Sequence, residues 1–127
     1  MARSIQPLRD ATLTGNIASG TAITSSIYLE GYRVAALRVS SGWSGAPITF
    51  QGSMDNSSFL DLWDDAGAEL SVASGSVSSA AARAVCLGTV LSLALLSHNY
   101  VKFRSGPSSA AVNTTAAVTI VPVVVPA

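Results

Sequence analysis

The sequence predicts an all-β protein that folds as a single β-sandwich with an extended segment at each end. The chain has 127 residues, which is enough for one domain. Turn-forming residues recur at intervals of about 8–12 residues, as they do in all-β sandwiches and barrels. Apolar and polar residues alternate between several of these turns, and no stretch sustains a helical period.

The predicted strands follow one another along the whole chain, separated by Gly, Asn, Asp and Ser residues that favour turns. In the segment 100–104, Val101 and Phe103 oppose the polar residues between them, which predicts one dry face and one wet face. The segment 90–96 is open to two interpretations, a short helix or a buried loop. The predicted strands are residues 11–14, 22–29, 33–39, 47–53, 58–63, 69–73, 83–88, 100–104 and 118–125.

The two ends differ from the sandwich, which is predicted over residues 11–115. Residues 1–10 carry two arginines and few apolar side chains, which is typical of an extended arm. Residues 116–127 are almost wholly apolar but contain Pro122 and Pro126, each of which lacks the N–H group that a central strand donates. This C-terminal segment is therefore either an edge strand or arm laid on a neighbouring subunit, or the last core strand of its own subunit.

The scarcity of charge predicts a protein whose surface is covered by partners. Seven basic and seven acidic residues give a formal net charge of +0, which argues against nucleic-acid binding driven by electrostatics. Charged residues make up 11% of the chain, against roughly 25% in an ordinary domain. The mean hydropathy is +0.46. Such a surface has few groups that keep molecules apart, so we expect an oligomer.

The N-terminal residues predict a protein that is made and assembled in the cytoplasm. They contain no apolar segment typical of a signal peptide. The longest apolar stretch, residues 85–96, is shorter than the ~20 residues of a membrane helix, so no membrane association is expected. Cys86 has no partner for an intrachain disulfide and is predicted to pack as a small apolar side chain.

The sequence offers little for catalysis, and we expect neither an enzyme nor a cofactor. His98 is the single histidine, and with one cysteine it cannot build a Cys/His zinc site. It precedes a predicted strand in a turn-like segment, which favours a structural role. No Gly-rich phosphate loop and no Gly-x-Ser-x-Gly motif are present.

One dense group of polar residues is open to two interpretations. Its oxygen-bearing side chains are of the type that binds Ca²⁺, but their spacing does not match an EF-hand. Asp64-Asp65-Ala66-Gly67 is also ordinary hairpin-turn chemistry, which favours the interpretation without a metal. The residues concerned are Asp55, Asn56, Asp61, Asp64 and Asp65.

Trp43 lies in a loop rich in Gly and Ser and has three possible roles. It is a plug that closes one end of the sandwich, an anchor at an interface, or a stacking platform for a sugar ring. The basic residues are scattered along the sequence, and six of the seven are arginines, which suit interfaces. Isolated surface ion pairs are the simpler interpretation of those arginines.

The middle of the chain resembles small structural proteins of tailed bacteriophages. The resemblance spans roughly residues 34–121, and Asn56 stands where the phage pattern often has Gly. The same segments are similar to galactose-binding-like jelly rolls, which implies a jelly-roll form of the sandwich. The matching segments are Trp43-Ser-Gly-Ala-Pro-Ile-Thr-Phe-Gln-Gly-Ser53 with Asp55 and Phe59, Asp64-Asp-Ala-Gly67, and Tyr100-Val-Lys-Phe-Arg-Ser-Gly106.

This resemblance implies a virion protein without enzymatic activity, and most specifically a capsid decoration (cement) protein. Such a protein would bind the major capsid protein and copies of itself, for example as a trimer. The alternatives are a receptor- or carbohydrate-binding module of a tail or fibre, with Trp43, Asp55, Asn56 and Tyr100 near the glycan, and a tail or neck connector subunit. The residues expected to contact partners are Ile5, Leu8, Arg9, Trp43, Ile120, Val121, Val123, Val124 and Val125.

Overall fold

The computed structural model describes residues 13–29, 32–77 and 80–126, and in them it contains nine strands and one α-helix. Two antiparallel sheets pack face to face as a sandwich, so the predicted fold class is confirmed. The strands are Gly15–Ile17 (β1), Ile27–Tyr28 (β2), Tyr32–Val39 (β3), Ile48–Ser53 (β4), Leu60–Asp61 (β5), Ser71–Val72 (β6), Arg83–Cys86 (β7), Tyr100–Ser105 (β8) and Val118–Pro126 (β9), and the helix is Thr89–Leu96 (α1).

The strand order is that of a jelly roll. One sheet has the order β1-β9-β3-β7, and the other has the order β2-β8-β4-β5, with β6 also paired to β4. The first half of the chain pairs with the second half in nested fashion: β1 with β9, β2 with β8, β3 with β7, and β4 with β5 and β6. A long hairpin rolled into two sheets has this nesting, which defines the jelly roll.

The core lies between the inner faces of the two sheets, as the alternation predicts. Val101 and Phe103 are fully buried, and the rings of Phe50 and Phe103 meet edge to face at a centroid distance of 5.7 Å. Burying a side chain of this size stabilises the fold by about 1.5–3 kcal/mol. The four-stranded sheet contributes Ile17, Val34, Leu37, Val39, Val118, Ile120 and Val124 to this core.

The first strand is displaced from its predicted position. Residues 13 and 14 are not in a strand, whereas Gly15–Ile17 forms β1, although the pair Gly15-Asn16 suggests a turn in the sequence. A Cβ atom on Gly15 would lie 3.0 Å from Thr24 Cγ2 and 3.1 Å from Ile27 Cδ1. Gly15 therefore allows close packing inside a strand. In the sequence, the same glycine is equally typical of a turn.

The segment after β7 is the helix rather than the buried loop. Ser92 anchors α1 to β3, because its buried hydroxyl donates a hydrogen bond of 2.9 Å to the backbone oxygen of Val34, and Leu95 reaches the core. No helix in residues 13–29, 32–77 and 80–126 is long and apolar enough to span a bilayer.

Cys86 is exposed, so the prediction that it packs in the interior is wrong. It lies on β7 at the edge of the four-stranded sheet, opposite Ala36 of β3. Successive side chains of a strand point to opposite faces, so half of the residues of β7 face away from the core. The apolar run in the sequence does not reveal which of them do so.

The C-terminal segment is a strand of the chain's own sheet. β9 lies between β1 and β3 over residues 118–120 and has only β3 beside it after that point. Ser40 donates its N–H to Thr119 O, so odd-numbered residues of β9 direct their backbone groups towards β3. Pro122 therefore turns its missing N–H towards the open edge, where no partner strand requires it. The N-terminal arm, residues 1–10, lies outside the described residues.

Candidate functional site

The outer face of the four-stranded sheet is largely apolar and is the best candidate for an interaction surface. It combines partly exposed valines with small side chains and one exposed arginine. We call this surface the valine face. Its residues are Val121, Val123 and Val125 of β9, Ala36 and Arg38 of β3, and Ala84 and Cys86 of β7.

The strand alternation divides the C-terminal residues that are predicted to contact partners. Ile120 and Val124 face inward and belong to the chain's own core. Val121, Val123 and Val125 point outward and stay partly exposed. Only these three are therefore available to a partner while the sandwich is intact.

Three exposed arginines belong to the four-stranded sheet. Arg33 and Arg38 lie on β3, and Arg83 lies on β7, and all three are exposed. None of them forms an ion pair with another of the described residues. The strands of this sheet contain no Asp or Glu. Arg38 and Arg83 line the same cavity, and the sequence does not reveal this because the pairing of β3 with β7 brings them together.

A shallow cavity of about 270 Å³ opens on the valine face. Arg38 and Arg83 line it together with small and β-branched residues. Arg83 lies opposite the inward-facing Val39, and its Nη1 also donates a hydrogen bond of 3.4 Å to Gly75 O. A partner side chain inserted there would meet apolar walls and the two arginines. The remaining lining residues are Val39, Ser40, Ala82, Ala84, Thr119 and Val121.

Helix α1 extends this apolar region beyond the sheet. Leu93 is 54% exposed and lines a second cavity, of about 190 Å³, together with Arg33 and Ala35. Arg33 pairs with Val125 across β3 and β9, so this cavity adjoins the valine face. Contiguous exposed apolar surface on a protein often marks a contact site.

The edge of the five-stranded sheet at β5 carries acidic and apolar residues together. Leu60 is 73% exposed and Trp63 is 54% exposed, and both lie at the β5 side of the five-stranded sheet. Asp64 accepts backbone hydrogen bonds of 2.9 Å from Ala66 and Ala68, which shapes the hairpin that follows. We call the surface formed by Leu60, Trp63, Asp64 and Asp65 the acidic edge.

Arg104 organises the outer face of the five-stranded sheet. It donates to Asp61 at 2.8 Å, to Glu69 at 2.9 Å and, through Nε, to Thr49 Oγ1 at 2.9 Å. The partial burial of Asp61 favours a higher pKa, but the hydrogen bonds from Arg104 and Gln51 and the charge of Arg104 outweigh it. The pKa of Asp61 is therefore lowered, and its carboxylate serves as a structural ion-pair partner.

The acidic segment consists of separate local structures, as the turn interpretation predicts. Asp55 accepts backbone N–H groups from Ser57 and Ser58 and the hydroxyl of Ser53, and these bonds lower the pKa of its carboxyl. Asp61 pairs with Arg104. Among the described residues, no three acidic, His or Cys side chains come together in a way that would hold a metal ion.

Trp43 is a plug in the sandwich, and its prediction as a contact residue is wrong for the folded chain. Its side chain is 2% exposed, and Nε1 donates a hydrogen bond of 2.7 Å to the backbone oxygen of Ala46. A ring buried in this way offers no face to a sugar or to a partner. Burial with the N–H satisfied is the usual situation of a tryptophan in a core.

His98 has structural contacts. Its Nδ1 lies 2.9 Å from the backbone oxygen of Ala94, at the end of α1. Its ring lies against Gly52, where a Cβ atom would come within 2.6 Å of it. The ring therefore fills the space that the missing side chain of Gly52 leaves free.

A pair of aromatic rings lies at one end of the outer face of the five-stranded sheet. Tyr28 and Tyr100 face each other across β2 and β8 with a centroid distance of 5.0 Å. Tyr100 also pairs with Ser53, which places it beside the turn that carries Asp55 and Asn56. Three of the four residues predicted to lie near a glycan thus share one end of this sheet, and Trp43 does not belong to them.

Comparisons of the chain with protein-family models, with curated proteins and with solved structures found no match. The resemblance to phage structural proteins therefore stays a hypothesis based on the sequence pattern.

Proposed function

We propose that this protein is a non-enzymatic structural subunit of a bacteriophage particle, and most specifically a capsid decoration protein. In this role it stabilises the head passively by binding the major capsid protein and copies of itself. The pattern likeness of its middle segment and its jelly-roll topology support the proposal. A fold alone does not determine a function, so the argument depends on the surface.

The valine face carries this proposal. Its outward valines lie on a sheet that bears exposed arginines and no acidic residue in its strands. Transfer of apolar surface from water into a contact stabilises the complex by about 25 cal/mol per Å². Arginine is enriched at protein interfaces, whereas acidic residues are depleted there. A face with this composition suits a permanent protein contact.

The open edge of β9 bears on the kind of contact that we propose. Pro122 directs no N–H towards the edge, and such a proline hinders the addition of another strand. Association through the side chains of the valine face is therefore favoured over association through the backbone. Side-chain packing between subunits can hold neighbouring shell proteins together without any chemical step.

The first test is the number of copies in purified particles. Quantitative mass spectrometry should find the protein at a copy number comparable to that of the major capsid protein. A few copies, or about a dozen, would place it in the tail or neck and contradict the decoration role. Absence from the particle would contradict the virion role altogether.

The second test asks whether incorporation into the particle depends on a contact that the valine face makes. Val123→Glu places a charge in the middle of this face, and we expect particles assembled with it to lose most of the bound protein. Ser71→Glu is the matched control, because Ser71 is exposed on the other sheet. Equal binding by the two variants would contradict the assignment of the valine face.

Glycan binding by a tail or fibre module is the second candidate function. The paired rings of Tyr28 and Tyr100, close to the exposed Asn56, form the kind of aromatic surface on which sugar rings stack. Binding on a glycan array that Tyr100→Ala abolishes and Val123→Glu leaves unchanged would favour this candidate over the decoration role.

A further inference from the structure

We infer that the partner on the valine face is a second copy of this chain, which presents its acidic edge. The inference rests on the proposed function, because it names the neighbour that this surface meets in the assembly. Copies would then associate head to tail, through two different surfaces of the same molecule.

The separation of charge within the molecule is the first argument. All five acidic residues that the structure describes lie between the start of β4 and the end of β6, namely Asp55, Asp61, Asp64, Asp65 and Glu69. The exposed arginines Arg33, Arg38 and Arg83 belong to the other sheet. The remaining two acids, Asp10 and Glu30, lie outside the described residues. The five-stranded sheet also carries Lys102 and Arg104, so the five acids exceed the two basic residues there by three, against the three arginines of the other sheet.

The apolar residues of the two surfaces complement each other as well. The acidic edge exposes Leu60 and Trp63, and the valine face offers small and β-branched side chains around a cavity of about 270 Å³. Large side chains that enter pockets lined by smaller ones dominate the energy of protein interfaces. Asp64 and Asp65 directly follow Trp63 in the chain. In the contact they would lie near Arg38 and Arg83, which line the cavity.

The geometry of such a contact has a consequence for assembly. The valine face and the acidic edge belong to different sheets, so a pair of copies joined by one contact keeps one free surface of each kind. Contacts of this heterologous type produce closed rings when the rotation closes and chains when it does not. A self-complementary contact would instead stop at a dimer.

Two variants test this inference on the purified full-length chain. Arg38→Glu replaces a positive charge of the valine face with a negative one. Leu60→Glu removes an exposed apolar side chain from the acidic edge and puts in its place a charge that is costly to bury in an apolar contact. Both residues are exposed, so the fold should be retained, which far-UV circular dichroism checks. Analytical ultracentrifugation should show that the native chain associates and that each variant alone is monomeric.

An equal mixture of the two variants provides the decisive measurement. The Leu60→Glu copy keeps a native valine face and the Arg38→Glu copy keeps a native acidic edge, so the mixture should form dimers. The two altered surfaces repel each other, so the mixture should not grow beyond dimers. Asn113→Glu, an exposed change in a loop that belongs to neither surface, should associate like the native chain.

Three results would overturn the inference. They are a monomeric native chain, association by either variant alone to the native extent, and a mixture that stays monomeric. These measurements use no other virus component, so they are independent of the particle tests. A chain that is monomeric in solution but abundant in particles would overturn this inference and leave the proposed function standing.

Discussion

Arg104 is the residue that connects most of the five-stranded sheet. It is 7% exposed although it lies on the outer face, where the alternation of β8 predicts a wet side chain. Its three donor groups reach Thr49 on β4, Asp61 on β5 and Glu69 before β6. Glu69 also accepts the N–H of Ser108, so the loop after β8 is tied to the same ion pair. Burial of a charge is tolerable here because every partner is supplied.

Replacement of Arg104 should therefore destabilise the fold strongly. Arg104→Met leaves two carboxylates without their cation, and we expect the free energy of unfolding in urea to fall by about 3 kcal/mol. Lys102→Met is the control on the same strand, since the Lys102 ammonium only stacks on the Phe59 ring at 4.3 Å. That contact contributes about 0.5–1 kcal/mol. Equal losses in the two variants would contradict this role of Arg104.

The lowered pKa values of Asp55 and Asp61 predict a loss of stability in acid. A carboxyl whose pKa is lower in the folded chain binds fewer protons there than in the unfolded chain, so stability falls as the pH decreases. The contribution is complete above the unfolded pKa, about 3.9, and disappears as the pH falls through the lower folded value. Unfolding free energies measured across this range should decrease towards low pH.

Asp61→Asn isolates the contribution of one carboxyl to this pH dependence. The variant should be less stable near neutral pH and should show a shallower decrease below about pH 4 than the native chain. Asp65→Asn is the control, because Asp65 is exposed and belongs to no ion pair among the residues that the structure describes. An unchanged acid slope in Asp61→Asn would show that this ion pair does not couple to folding.

At the scale of elements, β9 combines two roles along its length. Its first residues complete the four-stranded sheet between β1 and β3, and its later residues form an edge with Pro122 and Pro126. Both prolines have even numbers, and the even-numbered residues direct their backbone away from β3. The strand therefore keeps its pairing with β3 in spite of the prolines, and the open edge lacks two donors.

Exchange of proline between neighbouring positions tests this account of β9. Pro122→Val should leave the free energy of unfolding within about 1 kcal/mol, since no bond to β3 changes, but it should increase aggregation because the open edge gains a donor. Val121→Pro removes an N–H that faces β3 and should cost about 2 kcal/mol. Chemical denaturation and light scattering measure the two effects. Similar stabilities of the two variants would contradict the assigned backbone directions.

The elements that the sequence predicts well are those with a clear alternation. β4, β8 and β9 lie where Ile48, Val101 and Ile120 fall into the buried register, and the turn residues between strands locate most of the loops. Local patterns decide these positions, so the sequence is enough. The wrong position of β1 has the opposite cause: Gly15 meets Thr24 and Ile27 only in the folded chain.

The candidate surface was only partly predictable, for the same reason. The alternation of β9 follows from its sequence. Whether its odd-numbered or its even-numbered residues face outward depends on its register with β3. Arg38 and Arg83 come together only because β3 pairs with β7, and the paired residues Arg38 and Ala84 are more than 40 positions apart in the sequence. Long-range pairing of this kind leaves no local signal in a single sequence.

At the scale of the whole molecule, the jelly roll converts a neutral and weakly charged chain into a molecule with two unlike sides. The nested pairing sends β3, β7 and β9 to one sheet and the acidic segment to the other. The net charge therefore does not predict how this protein interacts electrostatically, because the local electrostatic potential differs in sign between the two surfaces. Contact between unlike sides removes both apolar surface and unpaired charge from water.

The salt dependence of self-association should reveal how much of this contact is electrostatic. The screening length is about 10 Å at 0.1 M salt and about 3 Å at 1 M, so added NaCl weakens attraction between the exposed arginines and the acidic edge. We expect the dissociation constant, measured by sedimentation, to rise with NaCl in the native chain. Arg83→Gln, which removes one of these charges from the lining of the cavity, should show a smaller rise. Apolar packing alone predicts association that is constant or stronger at high salt, and that result would remove the charge argument for a head-to-tail contact.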